Sequence, residues 1–313
     1  MLPDGRRLHL QHGPIDLVIE AWGAPGEVAA CYGQAVRRFE TMLTELVGEL
    51  ALLRTPVARG PCPLRGSVAR RMWRAAAGHL PLFVTPMAAV AGAVADEVLA
   101  AMLEGRVVSR AYVNNGGDIA LHLSPPENPA SAHWVPASAG TSGRDVSCSG
   151  ESFRVGLVVE PEHPHVPGAI EITHDMPVRG VATSGRRGRS LSLGIADSVT
   201  ALAATGAGAD AAATLIANAV DLPGHGSVRR APASSLDPDS DLGEHLVTVD
   251  VGPLDGAEIE AALAAGAEAA QDMIAQGLID AAVLVLGQTV RTVGHPGRRP
   301  MPEHLNRENR IHA

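Results

Sequence analysis

The chain has 313 residues, of which 46% are hydrophobic and 19% charged, and its formal net charge is -9. This length and composition indicate a folded globular protein with a large core, built as one big domain or two fused halves. The negative charge argues against non-specific nucleic-acid binding, because no general positive field attracts a phosphate backbone. All 25 basic residues are arginine, which excludes lysine Schiff-base chemistry.

The cysteines and the apolar segments of the sequence bear on the cellular location of the protein. Cys31, Cys62 and Cys148 are far apart and form no C-x-x-C pair, so neither a zinc site nor a disulfide framework is predicted. The first ten residues lack the apolar stretch of a signal peptide. The apolar segment 85–103 is interrupted by two acidic residues, so no membrane span is expected. We therefore predict a cytoplasmic protein with no membrane partner.

The first hundred residues predict a pair of strands followed by helices. Residues 6–20 fit two strands joined by a turn at 12–14. Apolar residues at three- and four-residue steps predict a helix over 26–53, and a shorter one is predicted over 67–77. A third helix begins with Thr85 as N-cap and Pro86 at its first position. The body of this helix consists mostly of Ala, Val and Gly. Such small residues would let another backbone or the flat ring of a ligand lie close against the helix. The alternative is that they are needed only where the helix crosses another element in the core.

A polar group interrupts the apolar strand that follows. Its members are Asn114, Asn115, Gly116, Gly117 and Asp118. Glycines inside a strand mark a bulge or a place where a ligand nears the backbone. An Asn-Gly hairpin turn is the structural alternative, but the flanking runs look short for one. A ligand contact is the preferred interpretation.

The rest of the chain alternates strands, helices and polar segments. Residues 124–151 are rich in Pro, Ser, Ala and Gly and are expected to be a surface insertion. The segment 229–243 is predicted to be a polar loop, and 295–313 a flexible tail that follows a single domain over 1–294. Strands are predicted over 153–160, 168–173, 178–183, 246–251 and 281–286, the last being the final strand, and a helix over 255–277.

The segment 181–220 carries the most chemistry. A turn of small residues, Thr183, Ser184 and Gly185, leaves backbone amides open to an anion. Arginines follow at positions 186, 187 and 189, with Ser190 next, and guanidinium groups are natural partners of phosphate oxygens. A helix begins near residue 206, and its N-terminal amides are expected to favour negative charge.

Asp210 and Thr214 stand four residues apart on one face of that helix. A carboxylate and a hydroxyl together suit Mg²⁺, which takes oxygen ligands and usually bridges to substrate phosphates. The alternative is that Asp210 complements the helix dipole while Thr214 bonds back to a carbonyl. Together with the turn and the arginines, the pair predicts a metal-assisted phosphate site.

With these motifs in view, the chain resembles the ApbE-like proteins, relatives of the FAD:protein FMN transferases, and most closely their smaller cytoplasmic branch. The resemblance implies an α+β fold, T-fold-related, with mostly antiparallel sheets packed with helices. An internal pseudo-duplication is compatible with the order of the predicted elements. The likeness is carried by residues 13–16, 85–92, 113–118, 182–185, 188–197 and 209–214.

The resemblance also implies chemistry. In the transferases, the residues that match Asp210 and Thr214 hold Mg²⁺, the Gly-Gly-Asp region lines the flavin site, and FMN from FAD is attached to a threonine of a target protein. This chain lacks their lysine-glycine pair and their Asp-Pro-x-Thr-Gly signature. Asp197 lies near the position of that signature and is the third predicted catalytic residue, with Asp210 and Thr214.

The leading hypothesis is a protein that binds FAD or a related nucleotide with Mg²⁺, with FMN transfer to a protein acceptor as the activity to test. One alternative is a non-flavin role in sulfur assimilation or homocysteine formation, to which the resembled branch has been linked. Another is a non-catalytic partner protein with a vestigial pocket. An oligomer is compatible with all three hypotheses.

Overall fold

The computed structural model describes residues 1–125, 152–157, 168–188 and 190–295, which form twelve strands and seven helices. The strands are β1 Leu8–His12, β2 Ile15–Gly23, β3 Val108–Asn115, β4 Asp118–Leu123, β5 Ser152–Leu157, β6 Gly168–Thr173, β7 Gly180–Ser184, β8 Ser198–Ala203, β9 Val228–Pro232, β10 Leu246–Val251, β11 Ala281–Leu286 and β12 Thr289–Gly294. The helices are α1 Pro25–Gly48, α2 Leu50–Leu53, α3 Ser67–Ala77, α4 Val90–Leu103, α5 Gly206–Ala219, α6 Ala233–Leu236 and α7 Gly256–Ala275.

Eight strands form one antiparallel sheet in the order β1-β2-β3-β4-β7-β8-β11-β12. The chain order repeats one pattern twice: two strands, helices, then two strands. The first half comprises β1 to β4, and the second half comprises β7, β8, β11 and β12. This arrangement agrees with the predicted α+β class and with a pseudo-duplication of the fold.

The two halves meet at a narrow seam between β4 and β7. Only two residue pairs join these strands, Ile119 with Val181 and Ala120 with Gly180. All other neighbours in the sheet share five or more pairs. Contacts outside the ladder must therefore help to hold the halves together.

The core lies on both faces of the sheet because the strands alternate their apolar side chains between the two faces. One face packs against the helices in two clusters, each of which includes residues from both halves. The opposite face is covered by the antiparallel strands β5 and β6, and Phe153 of β5 is fully buried. The rings of Trp22 and Tyr112 lie 5.8 and 6.2 Å from the ring of Phe153, centroid to centroid.

Several predicted elements are confirmed, and others are corrected. The helix over 67–77 and the strands over 168–173, 246–251 and 281–286 have the predicted bounds. The segment 229–243 was wrongly predicted to be a loop, since it contributes most of β9 and all of α6. The 281–286 strand is not the last, because β12 follows it across a tight turn. The insertion at 126–151 and the tail at 296–313 lie outside the described residues.

The polar group at 114–118 is a hairpin turn, which corrects the preference for an interrupted strand. β3 and β4 pair from Arg110 with Leu123 to Asn115 with Asp118. The two-residue turn needs left-handed backbone, which Gly116 and Gly117 supply with φ values of 66° and 120°. The strands are long enough because β3 extends eight residues and β4 six.

The third predicted helix starts as a 3₁₀ turn, Pro86–Ala89, and continues as α4. Thr85 occupies the N-cap position, but its side chain caps no backbone amide. The hydroxyl donates instead to the carboxylate of Asp241, which corrects the predicted role of Thr85. Pro86–Leu103 is also long and apolar enough to pass as a membrane span, yet 56% of that window is buried inside the fold.

The small residues of α4 allow this helix to cross α5 at a short distance. A Cβ added to Gly92 would lie 2.1 Å from the carbonyl oxygen of Gly206, and one added to Gly206 would lie 2.9 Å from that of Gly92. Both contacts are too short for any side chain. The body of α4 therefore admits another backbone, that of α5, at this point.

Candidate functional site

Several of the predicted site residues gather on the helical face of the sheet, at the seam between the halves. Asp118 begins β4, Ser184 ends β7, and Asp210 lies in the second turn of α5. The start of α4 closes the group, since the side chain of Asn115 donates to the Ala91 carbonyl at 3.2 Å. The site is therefore assembled from both halves of the chain.

Asp210 is half-buried and joins α5 to α4. Its Oδ2 accepts a hydrogen bond from the backbone amide of Gly92 at 3.0 Å. Desolvation of the carboxyl group, followed by the negative charge of Asp118, raises the pKa of Asp210 well above its usual range. Hydrogen bonds from the backbone amides of Gly92 and Ala91 oppose this increase of the pKa and do not cancel it. A cation placed between the two carboxylates would relieve their repulsion.

Asp118 bridges the seam where the strand ladder stops. Its Oδ1 accepts a hydrogen bond from the backbone amide of Thr183 at 3.1 Å. This contact continues the attachment of β4 to β7 one step beyond their last paired residues. The same carboxylate interacts electrostatically with Asp210. Asp118 thus lies between the sheet and α5.

The N-terminus of α5 is already occupied by an internal anion. Asp96 of α4 accepts hydrogen bonds from the amides of Gly206 at 2.8 Å and Ala207 at 2.9 Å. The Thr205 side chain accepts from the amide of Gly208 at 3.1 Å. The expectation that this helix end would receive a phosphate is therefore wrong, because a carboxylate of the chain itself satisfies it.

The donors around Asp210 fit a hard cation. Thr214 lies one turn further along α5 and is half-buried, and its hydroxyl has no hydrogen-bond partner among the described residues. Within that part of the chain no group of three or more His, Cys, Asp or Glu side chains is arranged to hold a metal ion. Mg²⁺ is usually bound by one or two carboxylates, with substrate phosphates and water completing its shell. Asp210 and Thr214, with Asp118 beside them, match that pattern.

The remaining residues of the β3–β4 turn have structural contacts. The side chain of Asn114 accepts a hydrogen bond from the Gly117 amide at 2.8 Å, which closes the turn. Asn115 is buried, and its side-chain oxygen accepts from the Asp16 amide at 3.4 Å. Both asparagines fix the turn that presents Asp118, and their predicted contact with a flavin stays a prediction.

The predicted turn over Thr183–Gly185 is corrected, because β7 continues through Ser184 and its residues therefore face the two sides of the sheet in turn. Ala182 packs in the core beneath α5, whereas Val181 packs in the opposite core, so alternation directs Thr183 away from Asp210. The Thr183 hydroxyl pairs with that of Thr200 at 2.8 Å. Ser184 shares the helical face and is half-buried. Gly185 has φ 152°, and a Cβ there would lie 2.5 Å from the Asp197 carbonyl oxygen.

Asp197 is buried and anchors the arginine loop. Its Oδ1 lies 2.6 Å from an Arg186 nitrogen and 2.8 Å from Nε of Arg187, and its Oδ2 accepts from the Gly287 amide at 2.6 Å. Two of the three arginines predicted to meet phosphates are thus paired with this carboxylate. Arg189 lies outside the described residues, and Ser190 is exposed. The contacts of Asp197 are structural, and its catalytic role stays a prediction.

Sequence reasoning missed the part that Asp96 plays. The acidic residue was noted only as an interruption of an apolar segment. A usable signal exists in hindsight: Gly92 precedes Asp96 by four residues, and Gly206 precedes Asp210 by four. Each helix therefore carries a glycine where it crosses its neighbour and a carboxylate one turn later.

Sequence comparison finds similar proteins in other organisms. UPF0280 proteins from Methanothermobacter thermautotrophicus and Methanopyrus kandleri are 34% identical over 164 residues and 38% identical over 152 residues. These matches span 52% of both chains in the first case and 48% of both in the second, so the chain matches about half the length of these relatives.

Two solved structures match most of the chain at low sequence identity. The flavin transferase ApbE from Vibrio cholerae, in a mutant form, is 13% identical with a TM-score of 0.45, over 91% of this chain and 95% of that one. The Pseudomonas stutzeri flavinyl transferase ApbE is 12% identical with a TM-score of 0.41, over 92% and 94%. The fold class itself follows from the strand order and pairing given above. A sequence-family model described as AbpE bacteria matches residues 1–292, and the chain therefore belongs to this family.

Proposed function

We propose that this protein binds FAD or a related flavin nucleotide together with Mg²⁺ at the seam between its halves. Asp210 and Thr214 would hold the metal, and Asn115 to Asp118 would line the flavin side. The observation that carries the proposal is the placement of Asp210 beside Asp118 and one turn before Thr214. Family membership and the motifs shared with the ApbE-like transferases support the same ligand.

The activity to test is transfer of FMN to a protein acceptor. Mg²⁺ would neutralise charge that develops on the pyrophosphate oxygens. In the transfer, the acceptor's hydroxyl oxygen forms a bond to the FMN phosphorus and the P–O bond to AMP breaks. AMP departs with the electron pair, and the hydroxyl proton is released to solvent. The backbone amides near Ser184 and Gly185 and the side chains of Arg189 and Ser190 would meet the phosphates.

A titration of the purified protein with FAD, with and without Mg²⁺, tests the proposal. We expect binding that requires Mg²⁺ and that weakens about 10-fold or more in Thr214→Val, which removes one oxygen ligand with little change of shape. Asp210→Asn should weaken binding at least as much. Asp272→Asn, at an exposed position on α7, is the matched control and should bind like the parent. Absence of Mg²⁺-dependent flavin binding in the parent would contradict the proposal.

A second candidate is flavin binding without transfer. It is favoured by Asp197, the predicted catalytic residue near the missing signature, because its carboxylate is taken up by Arg186, Arg187 and Gly287. Parent protein that binds FAD with Mg²⁺ yet labels no protein acceptor and releases no AMP would favour this candidate. Release of AMP that depends on Asp210 would favour the transferase.

The structure gives little support to the alternative role in sulfur assimilation or homocysteine formation, if that role requires a reactive thiol. Cys31 is fully buried in α1, and desolvation raises the pKa of its thiol, so it is a poor nucleophile. Cys62 is half-buried, with its thiol 3.9 Å from the Leu64 carbonyl oxygen, and Cys148 lies outside the described residues. A Cys31→Ala variant that keeps full function would exclude catalysis by that thiol.

A further inference from the structure

We propose that Asp96 is a positioning residue for the site: it fixes the start of α5 and thereby sets where Asp210 lies. The inference rests on the proposed function and extends it to a residue that makes no contact with the ligand. Its basis is a reciprocal pair of contacts between α4 and α5, each made by a carboxylate of one helix with backbone amides of the other.

The contacts of Asp96 use both of its oxygens. Oδ1 accepts from the Gly206 amide at 2.8 Å, and Oδ2 accepts from the Ala207 amide at 2.9 Å. Two parallel hydrogen bonds to consecutive amides define the direction of the helix as well as its place. With both oxygens directed at α5, Asp96 acts on the helix and leaves the cation to Asp210 and Thr214.

The return contact joins Asp210 to α4. Gly92 and Asp96 lie one turn apart on α4, and Gly206 and Asp210 lie one turn apart on α5. The Gly92 amide donates to Asp210 at the point where the two backbones are closest. Loss of either carboxylate should therefore loosen the hydrogen bond that the other one makes.

This pair of contacts lies at the seam between the halves, where the sheet itself pairs few residues. The sheet contributes only two residue pairs between β4 and β7. Asp118 adds one side-chain contact across the same seam, to the Thr183 amide. Since Asp118 belongs to the first half and Asp210 to the second, their spacing depends on the crossing of α4 and α5.

The test compares Asp96→Ala with Glu97→Gln in Mg²⁺ titrations at fixed FAD. Glu97 is the next residue on α4 and binds Arg38 of α1 and Ser67 and Arg71 of α3, with no hydrogen bond to α5, so it controls for general loss of stability. We expect Asp96→Ala to raise the Mg²⁺ midpoint about 10-fold, the usual effect of losing an outer-shell partner. The FAD affinity at saturating Mg²⁺ should change less than about twofold, since Asp96 does not contact the flavin.

Chemical rescue separates positioning from simple destabilisation. Formate can occupy the space of the lost carboxylate and accept from the freed Gly206 and Ala207 amides. We expect formate, but not chloride at equal ionic strength, to return the Mg²⁺ midpoint of Asp96→Ala toward the parent value. An unchanged midpoint, an equal shift in Glu97→Gln, or no response to formate would overturn the inference.

Amide exchange keeps the inference testable if the parent binds no flavin, a result that by itself contradicts only the proposed function. The Gly92 amide is bonded to Asp210 and not to Asp96. Positioning therefore predicts faster exchange at Gly92 in Asp96→Ala than in Glu97→Gln, with recovery in formate. Unaltered exchange at Gly92 would show that the two contacts are independent and would contradict the inference.

Discussion

At the scale of single residues, the buried and half-buried carboxylates differ in what they are free to do. Asp96 directs both oxygens to backbone amides, and Asp197 is surrounded by two guanidinium groups and an amide. Asp210 accepts from the backbone amides of Gly92 and Ala91, but it is also next to the like charge of Asp118. A carboxylate beside an unfavourable charge gains most from a bound cation, so Asp210 is the better metal ligand.

Replacing Asp197 by asparagine should lower the free energy of unfolding without removing a ligand of the proposed metal. Asp197 is 3% exposed, whereas Arg186 and Arg187 are 22% and 40% exposed. We therefore expect a loss of about 2 kcal/mol, less than for a fully buried ion pair because water can still reach the arginines. Urea unfolding measures this difference.

The control for Asp197 is Asp250→Asn. Asp250 also pairs with an arginine, Arg229, at 3.0 Å, but its side chain is 55% exposed. This variant should unfold at nearly the same urea concentration as the parent, because exposed ion pairs contribute little to stability. Equal stability of Asp197→Asn and the parent, combined with lost activity, would instead favour a catalytic role for Asp197.

At the scale of elements, the crossing of α4 and α5 determines the geometry of the site. Two glycines allow the helix backbones to touch, and two carboxylates hold them in place. The crossing also explains why α4 has an almost featureless Ala/Val/Gly body. A bulky side chain at the contact would separate the helices and move Asp210 away from Asp118.

Gly92→Ala should therefore destabilise the protein, although alanine favours helices. The new Cβ would lie 2.1 Å from the Gly206 carbonyl oxygen, and both backbones would have to move. We expect a loss of about 3 kcal/mol, as for a severely overpacked core site. Gly26→Ala in α1 is the control: its Cβ meets no atom within 4 Å. That variant should be neutral or gain up to about 1 kcal/mol in thermal or urea unfolding.

At the scale of the whole molecule, the free energy of unfolding depends on pH through buried titratable groups. His79, between α3 and the 3₁₀ turn, is 5% exposed, and its Nδ1 has no hydrogen-bond partner among the described residues. Burial lowers the pKa of His79 below its ordinary value near 6.5. The unfolded chain therefore takes up a proton on this group at a higher pH than the folded protein does.

The sign of the effect follows from that order of pKa values. Stability from His79 is complete above about pH 6.5 and decreases as the pH falls below it. Between pH 7.5 and 5.5 the contribution should be at most about 1.4 kcal/mol. We expect the free energy of unfolding of His79→Leu to change less between pH 7.5 and pH 5.5 than that of the parent. Urea unfolding at both pH values measures this difference. His12→Gln, at an exposed position, is the control for replacement of a histidine.

Local patterns in the sequence determined most of the elements. The periodicity of apolar residues fixed the 67–77 helix and the 246–251 strand, because one buried face imposes its repeat on the chain. The spacing of Asp210 and Thr214 likewise places both on one face of α5. Short elements such as β9 and β12 were missed, since most of their side chains are exposed or only partly buried.

Only the tertiary structure decided which hydrogen-bond partner each polar group at the site has. No local pattern could show that Asp96, 110 residues before Gly206, would take the N-terminus of α5 in place of a phosphate. Nor could it show that Asp197 would be enclosed by Arg186 and Arg187. Hydrogen-bond partners across the seam depend on how α4 and α5 cross and on how the two halves share a sheet. The sequence by itself therefore determined which chemical groups this protein carries, and the fold decided which of them remain free to bind.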